Sequence, residues 1–170
     1  MDQEAIALTI EAFKDVGINY VVTLPEEPTH DLVQQIREDP FFETITVPSE
    51  GCGITFCGGA SLGGRRCVFI TGIAGLLVGS WALSQMGPTF SVPLFIMASY
   101  RGDFGDLSGV QGTTLYTFNQ VGEPLLQALR IPYRVANHKP TLKRMVRDTY
   151  LATLQFDAPA VLLLTGEVLW

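Results

Sequence analysis

The sequence predicts an α/β protein, a three-layer sandwich with a central parallel sheet of about six strands. Three observations predict it. Short β-branched or wholly apolar runs alternate with longer segments of helical period. The apolar runs lack polar alternation, as strands covered on both faces do. Turn residues punctuate the junctions. With 170 residues, 47% of them hydrophobic and 16% charged, the chain makes one domain with a large core rather than two.

Residues 3 to 16 place Ile6, Ile10, Phe13 and Val16 on a helical stripe that Gly17 stops. Residues 20 to 24 form a β-branched strand ended by Pro25. After the acidic turn Glu26-Glu27-Pro28, Thr29 is the expected N-cap of a helix through Leu32, Val33 and Ile36. Residues 43 to 47 read as the second strand and 50 to 63 as a helix of small residues. Residues 67 to 70 are an apolar strand, followed by the turn Thr71-Gly72-Ile73-Ala74-Gly75 and one helix carrying Leu76, Leu77, Trp81, Leu83 and Met86. Residues 92 to 98 give the strongest strand, and a polar loop over 99 to 114 separates it from a helix near 121 to 129. A strand at 133 to 136, a helix over 141 to 155 and a strand at 160 to 164 complete the pattern.

The net charge of −6, with no stripe of Lys and Arg able to neutralise phosphates, argues against a nucleic-acid surface. The most basic segment, 139 to 147, reads as the solvated face of a helix. Cys52, Cys57 and Cys67 are odd in number and are expected to be reduced thiols of a cytoplasmic protein. Neither His30 nor His138 has a metal-ligand spacing to a Cys or carboxylate. The start Met1-Asp2-Gln3-Glu4 lacks the features of a signal peptide, and the apolar runs are too short to span a bilayer, so no membrane association is expected.

In such sheets ligands bind outside the carboxyl ends of the strands. The loops there are 24 to 28, 48 to 51, 71 to 75 and 99 to 112. Glu50 stands out: it ends an extended run and opens a Gly- and Cys-rich helix with no cation beside it. It is either a helix-terminal acid favoured by the dipole or a functional carboxyl. The segment Gly72-Ile73-Ala74-Gly75 could bring backbone N–H groups to a phosphate, yet it lacks a Walker or dinucleotide spacing and reads first as a tight turn with no ligand. Arg101 either forks onto an anionic substrate group or pairs with Asp103 or Asp106. His30 is a proton donor or a capping neighbour. Ser49, Ser61, Ser80 and Ser99 lack a credible His partner, and Asp103 with Asp106 makes a poor magnesium site without phosphates.

The order of these pieces resembles the pyrimidine-binding domain of thiamine-diphosphate-dependent enzymes. The segment Gly17-Ile18-Asn19-Tyr20-Val21-Val22-Thr23-Leu24-Pro25 is similar to that family's first strand and proline turn. Val47-Pro48-Ser49-Glu50-Gly51 is similar to the strand that delivers its glutamate, and the stretch from Gly63 to Gly72 to the next strand and glycine turn. Within the family the chain most resembles the small alpha subunits of sulfopyruvate decarboxylases, then phosphonopyruvate decarboxylases.

The resemblance implies a 2-oxoacid decarboxylase subunit in which Glu50 hydrogen-bonds the cofactor's aminopyrimidine. It implies that Pro25, Gly72, Ala74 and Gly75 line the cofactor side, and that Arg101 and His30 meet the substrate. The Gly-Asp-Gly motif that holds magnesium and diphosphate in the family is absent. Residues 1 to 170 are thus expected to be one pyrimidine-binding domain, with thiamine diphosphate and Mg²⁺ completed by a beta subunit in a hetero-oligomer. The apolar turn at 71 to 76 and the acidic Glu26-Glu27 depart from the pattern and leave the 2-oxoacid open. An acetolactate-synthase-like carboligase and a non-catalytic regulatory subunit are the alternatives.

Overall fold

The computed structural model describes residues 1–102 and 113–170. Six parallel strands, β1 (Tyr20–Thr23), β2 (Glu43–Thr46), β3 (Cys67–Gly72), β4 (Leu94–Ser99), β5 (Tyr133–Ala136) and β6 (Pro159–Leu164), form one sheet in the order β2-β1-β3-β4-β6-β5. The helices are α1 (Gln3–Val16), α2 (His30–Glu38), α3 (Glu50–Leu62), α4 (Ile73–Val78), α5 (Ser80–Ser84), α6 (Thr113–Ala128) and α7 (Lys139–Phe156).

Side-chain alternation on the buried strands creates two cores. On one face Val21, Val68, Ile70, Phe95, Met97 and Leu162 meet apolar residues of α1, α2 and α7. On the other, Val22, Phe69, Leu94, Ile96 and Leu163 meet α3, α4, α5 and α6 through Ile54, Leu76, Leu83 and Leu126. The three-layer sandwich expected from the sequence is therefore the one present. No helix among the described residues is long and apolar enough to cross a membrane.

Local chemistry sets most element ends where the sequence places them. Asp2 caps α1 by accepting from the Ala5 N–H at 3.1 Å, and Gly17 ends it at φ 74°. The basic segment is the flank of α7, and it is bound rather than only solvated: Lys139 pairs with Asp2 and Glu4, and Lys143 with Glu11 and Asp15, across to α1.

Several expectations change. The helix after β3 is broken: α4 stops at Gly79, α5 follows, and a π-helical turn, Gln85–Thr89, forms around Pro88, which has no N–H to continue the ladder. β4 begins at Leu94, after Pro93, and it runs on to Ser99. Its last residues pair Ala98 with Thr71 and Ser99 with Gly72, so β3 takes the first two residues of the expected turn and α4 starts directly at Ile73. α6 begins at Thr113, well before position 121. Cys57 and Cys67 are joined as a disulfide, with Cα atoms 6.2 Å apart, while Cys52 is free and exposed. The expectation of three reduced thiols fails because residues 63 to 66 fold α3 back onto β3, bringing two buried sulfurs together in space.

Candidate active site

The chain passes from β1 outward to β2, then returns across β1 to β3, so the sheet's switch point lies between the carboxyl ends of β1 and β3. Two glutamates flank it. Glu50 is the first residue of α3, half-buried, and Ser49 caps the helix by accepting from the Cys52 N–H at 3.3 Å. Among the described residues, the Glu50 carboxyl has no hydrogen bond or ion pair.

Its position is defined by an absence of side chain opposite. A Cβ at Gly75 would lie 2.7 Å from Glu50 Cγ and would also collide with Thr71 Oγ1. One turn on, a Cβ at Gly79 would lie 2.6 Å from Ile54 Cδ1. The two glycines let α4 seat directly against the first turns of α3 and hold the Glu50 stem. The next position, Gly51, faces open space, since no atom outside its chain neighbours and its own helix backbone lies within 4 Å of a Cβ built there among the described residues.

Glu26, just past β1, is the acid that sequence reasoning did not single out as a site. Its Oε2 accepts from Ser99 Oγ at 2.7 Å and its Oε1 from Thr29 Oγ1 at 3.0 Å. Thr29 therefore uses its hydroxyl on Glu26 rather than as the expected side-chain cap of α2. Gly72 is bare where this carboxyl packs, because a Cβ there would overlap Glu26 Oε2. Burial pushes the Glu26 carboxyl above the usual range; the two hydroxyls and the charges of Arg101 and the N-terminus pull it back down. The signal was present in the acidic turn between a buried strand and a helix, but its partner Ser99 lies 73 residues away.

Of the other candidates, Pro25 and the exposed His30 line, with Glu26, Glu27 and Asp31, a cleft of about 420 Å³ beside the switch point. Gly72 caps α4 in extended conformation, Ala74 is half-buried and Gly75 buried in its first turn. Arg101 follows β4, with Nη1 3.4 Å from Glu27 Oε2 and Cζ 5.6 Å from the Trp170 ring centroid. Pairing of Arg101 with Asp103 or Asp106 lies outside the described residues, as does the Asp103–Asp106 pair judged a poor magnesium site. Thr23 Oγ1, at the end of β1, is buried with no hydrogen-bond partner among the described residues. A larger cleft of about 530 Å³, between β5 and α7, contains none of the candidate residues. Among the described residues, no three His, Cys, Asp or Glu side chains group so as to hold a metal ion.

This arrangement places one unpartnered carboxyl and one hydrogen-bonded carboxyl, whose pKa burial raises, on either side of a glycine-rich strand end. It suits a site that meets a hydrogen-bonding heterocycle and handles protons.

No family model matches the chain. It is 25% identical over 154 residues to the sulfopyruvate decarboxylase alpha subunit of Methanococcus maripaludis, covering 91% of this chain and 90% of that one. It is 27% identical over 155 residues to the subunit of the same name from Methanocaldococcus jannaschii, covering 86% and 89%. Among solved structures, benzoylformate decarboxylase from Polynucleobacter necessarius superposes with a TM-score of 0.76 at 16% identity. That superposition covers 97% of this chain but only 30% of the enzyme, and it shows a shared fold. Over most of its length, then, the chain is similar to sulfopyruvate decarboxylase alpha subunits, on the fold of a decarboxylase domain.

Proposed function

We propose that the chain is the pyrimidine-binding subunit of a thiamine-diphosphate-dependent 2-oxoacid decarboxylase, with sulfopyruvate as its substrate. The observation that carries this reading is Glu50: an unpartnered carboxyl at the carboxyl edge of the sheet, held against Gly75, in a chain aligned along its length with alpha subunits of that name.

The residues present fit the cofactor's aminopyrimidine. Glu50 has no resident partner to displace among the described residues, Gly75 leaves its stem uncrowded, and Thr23 Oγ1, at the carboxyl end of β1, is a buried polar atom without a partner. When bound, thiamine diphosphate supplies the electron sink that lets a 2-oxoacid release carbon dioxide. The chain's own residues do the rest of the work proposed here. Glu50 holds a proton or a hydrogen bond at the ring nitrogen that faces it. Gly75 leaves the room that the Glu50 stem occupies, because any side chain there would displace it. Pro25, Gly72 and Ala74 border the same edge, and Arg101 and His30 lie on the Glu26 side, where the substrate's acidic tail is received.

A partner subunit carrying the diphosphate-binding domain and Mg²⁺ completes the site in this reading. Two features support a partner. The relatives are named as alpha subunits. In addition, α3 bears no charge beyond Glu50, and Phe56, Leu62, Val78 and Trp81 are exposed on α3, α4 and α5. A helix apolar all round belongs inside an assembly.

The test is calorimetric titration of thiamine diphosphate with Mg²⁺ into the chain, alone and mixed with a beta subunit, followed by assay of carbon dioxide. Binding and release are expected in the mixture. Glu50→Gln should keep the assembly and lower kcat by about 10²–10⁴-fold. Turnover indifferent to Glu50 refutes the reading.

A further inference from the structure

Arg101 sits at the end of β4 with its side chain only 20% exposed, stacked over Trp170. A guanidinium held this way loses little further freedom when it binds. Its resident partner is poor. Glu27 Oε2 lies 3.4 Å from Nη1, and the Glu27 side chain is 83% exposed, so the pair is long, hydrated and weak. Meanwhile Arg101 Nε is buried with no acceptor among the described residues, an arrangement that costs free energy for as long as it stays unmet. Glu26 also faces this charge, but Ser99 and Thr29 fix it in place. Of the two glutamates, only Glu27 is free to leave.

We propose that Glu27 is a resident counter-anion for Arg101, displaced by the acidic substituent of the ligand, a sulfonate or second carboxylate. The Arg101–Glu27 pair then sets how tightly acidic substrates are held. This rests on the decarboxylase reading for the identity of the ligand, though not for the binding itself. An oxyanion with several acceptor atoms engages the guanidinium at more than one nitrogen, which the single long contact to Glu27 does not. A 2-oxoacid with a neutral tail has nothing to exchange for Glu27, so the device discriminates by charge as well as by fit.

The probe is methanesulfonate, titrated into the full chain without cofactor or partner, with the Trp170 indole N–H resonance as the readout and exposed Trp81, on α5, as the internal control. Wild type should show a saturable shift at Trp170 and none at Trp81, weakening as salt is raised. Glu27→Gln should bind about two- to fivefold more tightly, the size expected for removing an exposed competing ion pair. Arg101→Gln should lose the response, and Arg101→Lys, which keeps the charge, should retain a weaker one. The proposal is overturned if Glu27→Gln binds no more tightly than wild type, if Arg101→Gln responds like wild type, or if neither wild type nor Glu27→Gln gives a saturable shift. No cofactor and no turnover enter this titration, so its failure is distinct from failure of the Glu50→Gln test.

Discussion

At the scale of single residues, the sheet edge sets two glutamates in different surroundings. Glu50 is left without a partner among the described residues, while Glu26 accepts two hydroxyls yet is buried enough that its proton is held more firmly than usual. A carboxyl whose folded pKa is raised adds nothing unfavourable below its unfolded value near 4.5, and it costs stability as pH rises through the folded value. Glu26→Gln removes that cost and keeps an acceptor for one hydroxyl. We expect the variant to match wild type near pH 4 and to melt about 2–4 °C higher at pH 8, on the order of 1 kcal/mol. Thermal melts across that range check it; a variant less stable at pH 8 would mean the hydroxyl bonds outweigh the burial. Glu50 was legible as a candidate from its place before Gly51-Cys52-Gly53. Glu26 was not, because burial and the bond from Ser99 depend on β1 and β4 flanking β3, which no local spacing announces.

At the scale of elements, α3 matters most, since it aims Glu50. Its start is set by Ser49, extended at φ −159° and accepting from the Cys52 N–H. Ser49→Ala should therefore cost about 1 kcal/mol, seen as a melting point lowered by about 2–4 °C, and should fray the turn that carries Glu50. Equal stability by denaturant titration would show that the cap contributes nothing. Element ends governed by local chemistry agreed with the sequence pattern, as in α1 between Asp2 and Gly17. Ends governed by pairing did not. β3 runs past its apolar stretch because Thr71 and Gly72 meet Ala98 and Ser99, and α4 breaks from α5 where Gly79 lies against Ile54.

At the scale of the whole molecule, the parallel sheet buries its two faces under helices, yet the outer surface from α3 to α5 keeps large apolar side chains in water. Trp81 is 75% exposed, so Trp81→Glu should leave the melting point nearly unchanged while abolishing association with the proposed beta subunit. Sedimentation of the mixture decides it, and undiminished association would remove this face from the interface. The sequence by itself determined the fold class, the order of strands and helices, and the strand-end position of Glu50. Each of these follows from the period of apolar residues and from turn chemistry within a few positions along the chain. Only the tertiary structure decided the burial of Glu26, the Arg101–Glu27 pair, the Cys57–Cys67 bond and the bare contact of Gly75 with Glu50. The reason is physical: those features are set by which strands become neighbours, and partners 10 to 74 residues apart meet only once the sheet has chosen its order.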